Sequence, residues 1–110
     1  MSKQIDDAIE FLNVLGDKTR LEILYLLKDE YRNSRYLQEK LNRSQSTISQ
    51  QLKTLKQANL IKVKKNGVKK SYIARDGDIY RLLETIDEYV NQLNQESIDE
   101  VASVNIDDVL

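Results

Sequence analysis

The segment SQSTISQQLKTLKQANLI, residues 44–61, mixes two kinds of side chain at helical spacing. Ile48, Leu52 and Leu55 recur at intervals of four and three, which places them on one face of an α-helix. Ser44 stands where an N-cap belongs. Gln45, Ser46, Thr47, Ser49, Gln50 and Lys53 fill the opposite face with hydroxyls, amides and one cation. Such groups suit the edges of base pairs in a major groove. An amide pairs bidentately with adenine, and a hydroxyl donates to or accepts from several bases. The helix N-terminus adds N–H groups that suit a phosphate. No acid and no large apolar side chain obstructs this face. An ordinary polar surface helix has a similar composition, so the segment gains meaning from its C-terminal neighbour.

That neighbour, residues 60–74, is basic and punctuated for a hairpin. Leu60-Ile61-Lys62-Val63-Lys64 alternates as a half-buried strand does, and Asn66-Gly67 is a two-residue hairpin signal. Val68 to Ala74 reads as the returning strand. Lys62, Lys64, Lys65, Lys69 and Lys70 surround the turn. Cations on such a tip contact backbone phosphates, adding salt-sensitive affinity and positioning the helix without reading sequence. Lysines on an edge strand also discourage aggregation, and both roles hold together. The candidate DNA contacts are therefore Ser44, Gln45, Ser46, Thr47, Ser49, Gln50 and Lys53 on the helix, with Lys64, Lys65, Asn66, Lys69 and Lys70 on the hairpin.

The net charge of −1 conceals a strong asymmetry. Residues 41–75 hold nine Lys and Arg and no acid, whereas residues 76–110 hold ten acids against Arg81 alone. Residues 1–40 are nearly balanced, with seven bases and eight acids. An acid-free stretch in so acidic a chain is an electrostatic footprint for a polyanion.

The remaining elements form a frame for this stretch. Ile5, Ala8, Ile9, Leu12 and Leu15 predict an amphipathic helix that stops at Gly16. Asp17 is a plausible N-cap for a second helix, whose Leu21, Ile23, Leu24, Tyr25, Leu26 and Leu27 form a wide apolar face. Ser34–Leu41 predicts a short third helix, and Asn42-Arg43 a turn into the fourth. Asp76 or Asp78 opens a fifth helix with Ile79, Leu82, Leu83, Ile86, Val90 and Leu93, about 18 residues long on the apolar periodicity alone. That exceeds what one small core needs, so part of it is expected to pair with a second copy. The acidic segment after Gln95 is either a short helix or disordered. The expected architecture is mainly α with a β-hairpin wing: a winged helix-turn-helix of about five helices and two antiparallel strands. Residues 1–95 are expected to bind DNA and dimerise, and residues 96–110 to form an acidic tail.

Composition excludes much else. Without cysteine or histidine there is no disulfide, thiolate or imidazole metal site, and no ordinary general base near neutral pH. There is no glycine-rich phosphate loop, and no spacing of Asp, Glu, Ser or Lys marks an active site, so an enzyme is not expected. No cofactor is called for. No apolar run approaches a bilayer span, and the N-terminus MSKQIDDAIEF lacks a signal-peptide core. A soluble cytoplasmic protein is expected.

Three stretches together carry a family resemblance. They are Gly16-Asp17-Lys18-Thr19-Arg20-Leu21-Glu22-Ile23-Leu24, the run from Ser44 to Leu55, and Ala58-Asn59-Leu60-Ile61. Over roughly residues 5–93 the chain resembles the ArsR/SmtB-type winged-helix repressors. The resemblance implies a homodimer on a near-palindromic operator, joined through its first and last helices. That assigns Ile5, Ile9, Leu12, Leu82, Ile86, Tyr89, Val90 and Leu93 to the dimer interface, and Ser46, Thr47, Ser49 and Gln50 to operator reading. Two-fold symmetry then sets the recognition helices about 34–36 Å apart. Lys18 stands where the family usually has proline, a preference rather than a requirement at a first helical position. Where many relatives carry Cys-x-Cys, this chain has Asn33 and Arg35. On the last helix Asp87 and Glu88 remain, without histidine. Sensing of zinc, cadmium or arsenite through Cys or His is thus excluded, an oxygen-only site for a hard cation stays open, and any small-molecule effector is unspecified. Two alternatives to a sequence-specific repressor remain: a winged helix used for protein–protein contact, and a non-specific architectural DNA binder.

Overall fold

In the computed structural model the backbone is described for residues 2–109 and side chains for residues 2–100. The described residues form α1 (Ser2–Leu15), α2 (Lys18–Leu26), α3 (Ser34–Leu41), α4 (Gln45–Gln57), β1 (Ile61–Asn66), β2 (Lys69–Ala74) and α5 (Asp78–Val109). This is the expected order of helices and strands. The chain divides into two compact units, residues 1–77 and residues 78–110.

The core of the first unit follows the apolar periodicity. Ile23, Leu24 and Leu27 of the second helical segment are fully buried, together with Leu37 of α3 and Ile48 and Leu55 of α4. Each side chain removed from water in this way contributes about 1.5–3 kcal/mol. An isolated 13-residue helix such as α4 is marginal in water, so packing rather than propensity holds it. The α2 face is narrower than its sequence suggests, because Tyr25 remains 49% exposed.

Caps and left-handed residues set the corners. Asp17 is the N-cap of α2 and accepts from the Arg20 N–H at 3.0 Å. Asn42 closes α3 at φ 52° and Asn59 follows α4 at φ 61°, a conformation that asparagine tolerates better than most residues. Only Asn42, Arg43 and Ser44 lie between α3 and α4, and this short link fixes the angle at which α4 leaves the core.

β1 and β2 pair antiparallel, with Val63 opposite Tyr72 and Asn66 opposite Lys69. The turn therefore consists of Gly67 and Val68, one residue later than the Asn66-Gly67 signal suggests. Gly67 has φ +65°, and Val68 is 99% exposed at the tip instead of opening the second strand. A glycine with positive φ at the first of two turn positions matches the right-handed twist of the flanking strands. The hairpin base is tied down by a bridge that the sequence does not announce. The N–H groups of Arg32 and Tyr72 each donate to the other's carbonyl at 2.8 Å, and the Ala74 N–H donates to the Leu27 carbonyl at 3.0 Å.

The second unit is α5, 32 residues rather than about 18. It runs without a break through Gln95, the point at which composition suggests that a separate acidic tail begins. Ile79, Tyr80 and Leu83 near its start are buried. Leu82, Ile86, Tyr89, Val90 and Leu93 are 37–59% exposed.

Candidate nucleic-acid interface

Burial of Ile48, Leu52 and Leu55 fixes the roll of α4, and the polar residues project away from the core as a consequence. Gln45, Ser46, Ser49, Gln50 and Lys53 are exposed. Thr47 is half-buried on the flank. Ser44 is the N-cap: its Oγ accepts from the Thr47 N–H at 3.1 Å and donates to Thr47 Oγ1 at 3.0 Å, with Ser46 Oγ 3.2 Å away. The three hydroxyls at this terminus therefore organise the first turn as well as facing outward. The first N–H groups of a helix have no partner within the helix and are directed outward.

On the hairpin, Lys62, Lys64, Lys65, Asn66, Lys69 and Lys70 are all exposed. The Lys64 ammonium lies 5.5 Å from the centre of the Tyr31 ring, a cation–π distance that steadies one side of the strand. An open groove of about 600 Å³ separates α3 and α4 from the hairpin. Its walls include Ser34, Arg35 and Gln38 of α3, Gln45 and Ser49 of α4, and Lys69 and Lys70 of β2. Lys53 and Lys56 of α4 face Lys70 across a neighbouring groove of about 250 Å³. Tyr72 lines both grooves, and partial burial pushes its phenol up from the ordinary value. Of the twelve candidates, Gln45, Ser49, Lys53, Lys69 and Lys70 line these grooves, whereas Ser44, Ser46, Thr47, Gln50, Lys64, Lys65 and Asn66 do not, and no acid is among the residues named on the walls.

Sequence reasoning missed the α3 wall and Lys56. Arg35 and Gln38 lie on the outer side of α3, and Arg35 pairs with Glu39 at 3.2 Å. Lys56 belongs to the acid-free run, but its distance from the polar start of α4 hides it in the sequence. Asn33, at the other position where relatives carry cysteine, is the N-cap of α3 and accepts from the Tyr36 N–H at 2.8 Å. Asp87 and Glu88 are exposed on α5, and among the described residues no three acidic groups converge as a metal site would require. No described helix is long and apolar enough to cross a membrane.

A short corner, a helix rolled so that amides and hydroxyls face outward, and a basic hairpin anchored beside it define a winged helix-turn-helix DNA-binding domain. Residues 17–63 match the bacterial regulatory protein, arsR family. The chain is 31% identical over 87 residues to an uncharacterized HTH-type transcriptional regulator of Methanocaldococcus jannaschii, covering 78% of this chain and 98% of that one. The protein belongs to the ArsR family of DNA-binding transcriptional regulators; its activity is regulation, not catalysis. Solved structures agree on the fold. M. tuberculosis Rv0081 superposes with TM-score 0.77 at 24% identity, covering 86% of this chain and 96% of that one. A homodimeric winged helix-turn-helix DNA-binding domain of Mycobacterium bovis gives TM-score 0.71 at 22% identity, covering 83% and 84%.

The cap at Ser44 should be measurable by itself. Ser44→Ala is expected to lower stability by about 0.5–2 kcal/mol, and Ser44→Gly by only a few tenths. Urea unfolding with an unchanged slope and a lowered midpoint for the alanine variant would show this; coincident midpoints for all three proteins would refute the cap.

Proposed function

We propose that this regulator is a repressor that binds a near-palindromic operator as a homodimer and acts in the cytoplasm. The observation that carries the proposal is the meeting of Gln45, Ser49 and Lys53 of α4 with Lys69 and Lys70 of the hairpin around grooves with no acid among their named wall residues. In this reading Gln45, Ser46, Thr47, Ser49 and Gln50 enter the major groove and meet base edges, with Ser44 and the first amides of α4 near a phosphate. Lys53, Lys64, Lys65, Asn66, Lys69 and Lys70 run along the backbone. Occupation of the operator then blocks access to the adjacent promoter.

Two exposed apolar rows support pairing. Ile5, Ile9 and Leu12 on α1 are 50–57% exposed, and they share one face at i, i+4, i+7. The α5 row of Leu82, Ile86, Tyr89, Val90 and Leu93 is the second. Apolar rows of this size on a small protein mark interaction surfaces. The Mycobacterium bovis domain of the same fold is homodimeric. Residues 1–95 would then bind DNA and pair, with the acidic end of α5 outside both tasks.

Three measurements test this. Gln50→Ala should weaken binding to a selected specific duplex by about 1–3 kcal/mol per half-site while leaving random duplex nearly unchanged; equal losses on both would remove its reading role. Changing Lys65 and Lys69 together to Ala removes two phosphate contacts from each protomer of the dimer and should reduce the slope of log affinity against log salt by about 3.6, since each contact contributes about 0.9. A constant slope would take the hairpin off the backbone. Ile86→Asp should convert dimers to monomers in sedimentation, whereas an unaltered profile would place the interface elsewhere.

A further inference from the structure

Arg20 makes a set of contacts that neither the core nor the DNA-facing surface accounts for. Its Nε donates to the Val14 carbonyl at 2.6 Å, and one terminal nitrogen donates to the Asn13 carbonyl at 3.0 Å. The other terminal nitrogen donates to Gln51 Oε1 at 2.7 Å, across 31 residues of sequence. The Asp17 carboxylate lies 4.0 Å away on the same side. The Arg20 side chain is only 16% exposed. One planar fork thus holds the last carbonyls of α1 and a side chain of α4 simultaneously. Guanidinium geometry makes this possible: its donors lie in fixed directions, so partners held by it cannot drift independently.

The local sequence builds this arrangement. Gly16 turns the chain tightly after α1, its N–H donating to the Leu12 carbonyl at 2.8 Å. A Cβ at Gly16 would sit 3.2 Å from that same carbonyl oxygen. Asp17 then caps α2 through the Arg20 N–H, which fixes where the Arg20 side chain starts. The two carbonyl bonds alone would amount to an end cap for α1. The bond to Gln51 adds something a cap does not need, because Gln51 adjoins Gln50 on the outward face of α4.

We infer that Arg20 and Gln51 form a clasp that sets the spacing between operator half-sites to which a pair of these chains responds. The inference rests on the dimeric, operator-binding reading above. If two copies meet through Ile5, Ile9 and Leu12 on α1, the position of each α4 relative to the two-fold axis depends on how firmly α4 is held to α1. The clasp is a direct polar link between the end of α1 and α4. Arg20 and Gln51 are positioning residues: they touch no base, and they act through the residues beside them.

The test uses the full chain with Arg20→Lys, which keeps the charge and loses the fork, Gln51→Leu, which removes the acceptor, and Gln51→Glu, which keeps one. Affinities are measured for a selected operator, for the same half-sites with one base pair inserted between them, and for a duplex with a single half-site. The wild type should prefer the native spacing by about tenfold or more. Arg20→Lys and Gln51→Leu should reduce that preference to about two- to threefold with single-half-site affinity unchanged, and Gln51→Glu should restore it. Because the chain has no cysteine, a spin label at Lys53→Cys reports the separation of the two α4 helices without DNA. Its distance distribution should broaden in Arg20→Lys and Gln51→Leu and stay narrow in Gln51→Glu. Unchanged spacing preference and unchanged widths in both clasp variants would overturn the inference while leaving operator binding intact. So would a loss of single-half-site affinity that matches the loss on the operator, which would mean a purely structural role. A wild type that prefers no duplex sequence would overturn the operator-binding reading itself, and the clasp with it.

Discussion

The whole interface depends on the burial of Ile48, Leu52 and Leu55. A helix of 3.6 residues per turn has one rotational freedom once its axis is placed, and burying those three side chains removes it. Which groups face outward is then no longer a choice. Gln45, Ser46, Ser49, Gln50 and Lys53 must project where Ile48, Leu52 and Leu55 do not. The short α3–α4 corner, with Asn42 left-handed and Ser44 capping, fixes the axis; the core stripe fixes the roll. The backbone of the proposed reading face is therefore placed before DNA arrives, and less binding energy is spent on ordering it.

Electrostatics then separates the tasks along the chain. The acid-free residues 41–75 contain α4 and the hairpin, the elements proposed to meet DNA. The acids are concentrated after residue 75, in the long α5 helix and the turn before it. A uniform distribution of the same charges would attract DNA weakly and without orientation. Concentrating nine cations in one third of the chain orients the encounter even though the net charge is negative. The hairpin cations gain from being anchored: the Arg32–Tyr72 bridge and the Ala74–Leu27 bond hold the strands against the helical body, so the tip is presented rather than free.

The helices and the candidate face are legible in the sequence because both follow from local rules. Periodicity locates α1, α3 and α4, the Gly16, Asn42 and Ser44 signals mark ends of these helices, and Asp17 marks the start of α2. The rest requires information that periodicity does not contain. The hairpin turn lies one residue on because strand pairing from Ile61–Ala74 to Asn66–Lys69 leaves Gly67 and Val68 unpaired, whatever the dipeptide signal. The length of α5 exceeds its apolar stripe because helix continuation past Leu93 does not require an apolar face when no glycine or proline intervenes. The Arg20–Gln51 contact and the Arg32–Tyr72 bridge join residues 31 and 40 apart, and no local pattern announces a long-range polar partner. Arg20 stands in the family motif, but its chemistry is visible only once α1 and α4 are placed.

Without Cys or His, this chain offers no thiolate or imidazole through which a metal could act on its DNA-binding face. Any other switch presupposes the proposed reading of duplex sequence by a pair of these chains. Selection from a pool of random duplexes measures this most directly. The account predicts enrichment of two inverted half-sites whose centres lie about 10–10.5 base pairs, or a multiple, apart. A pool that shows no enrichment, or that yields a single unrepeated site, would contradict it.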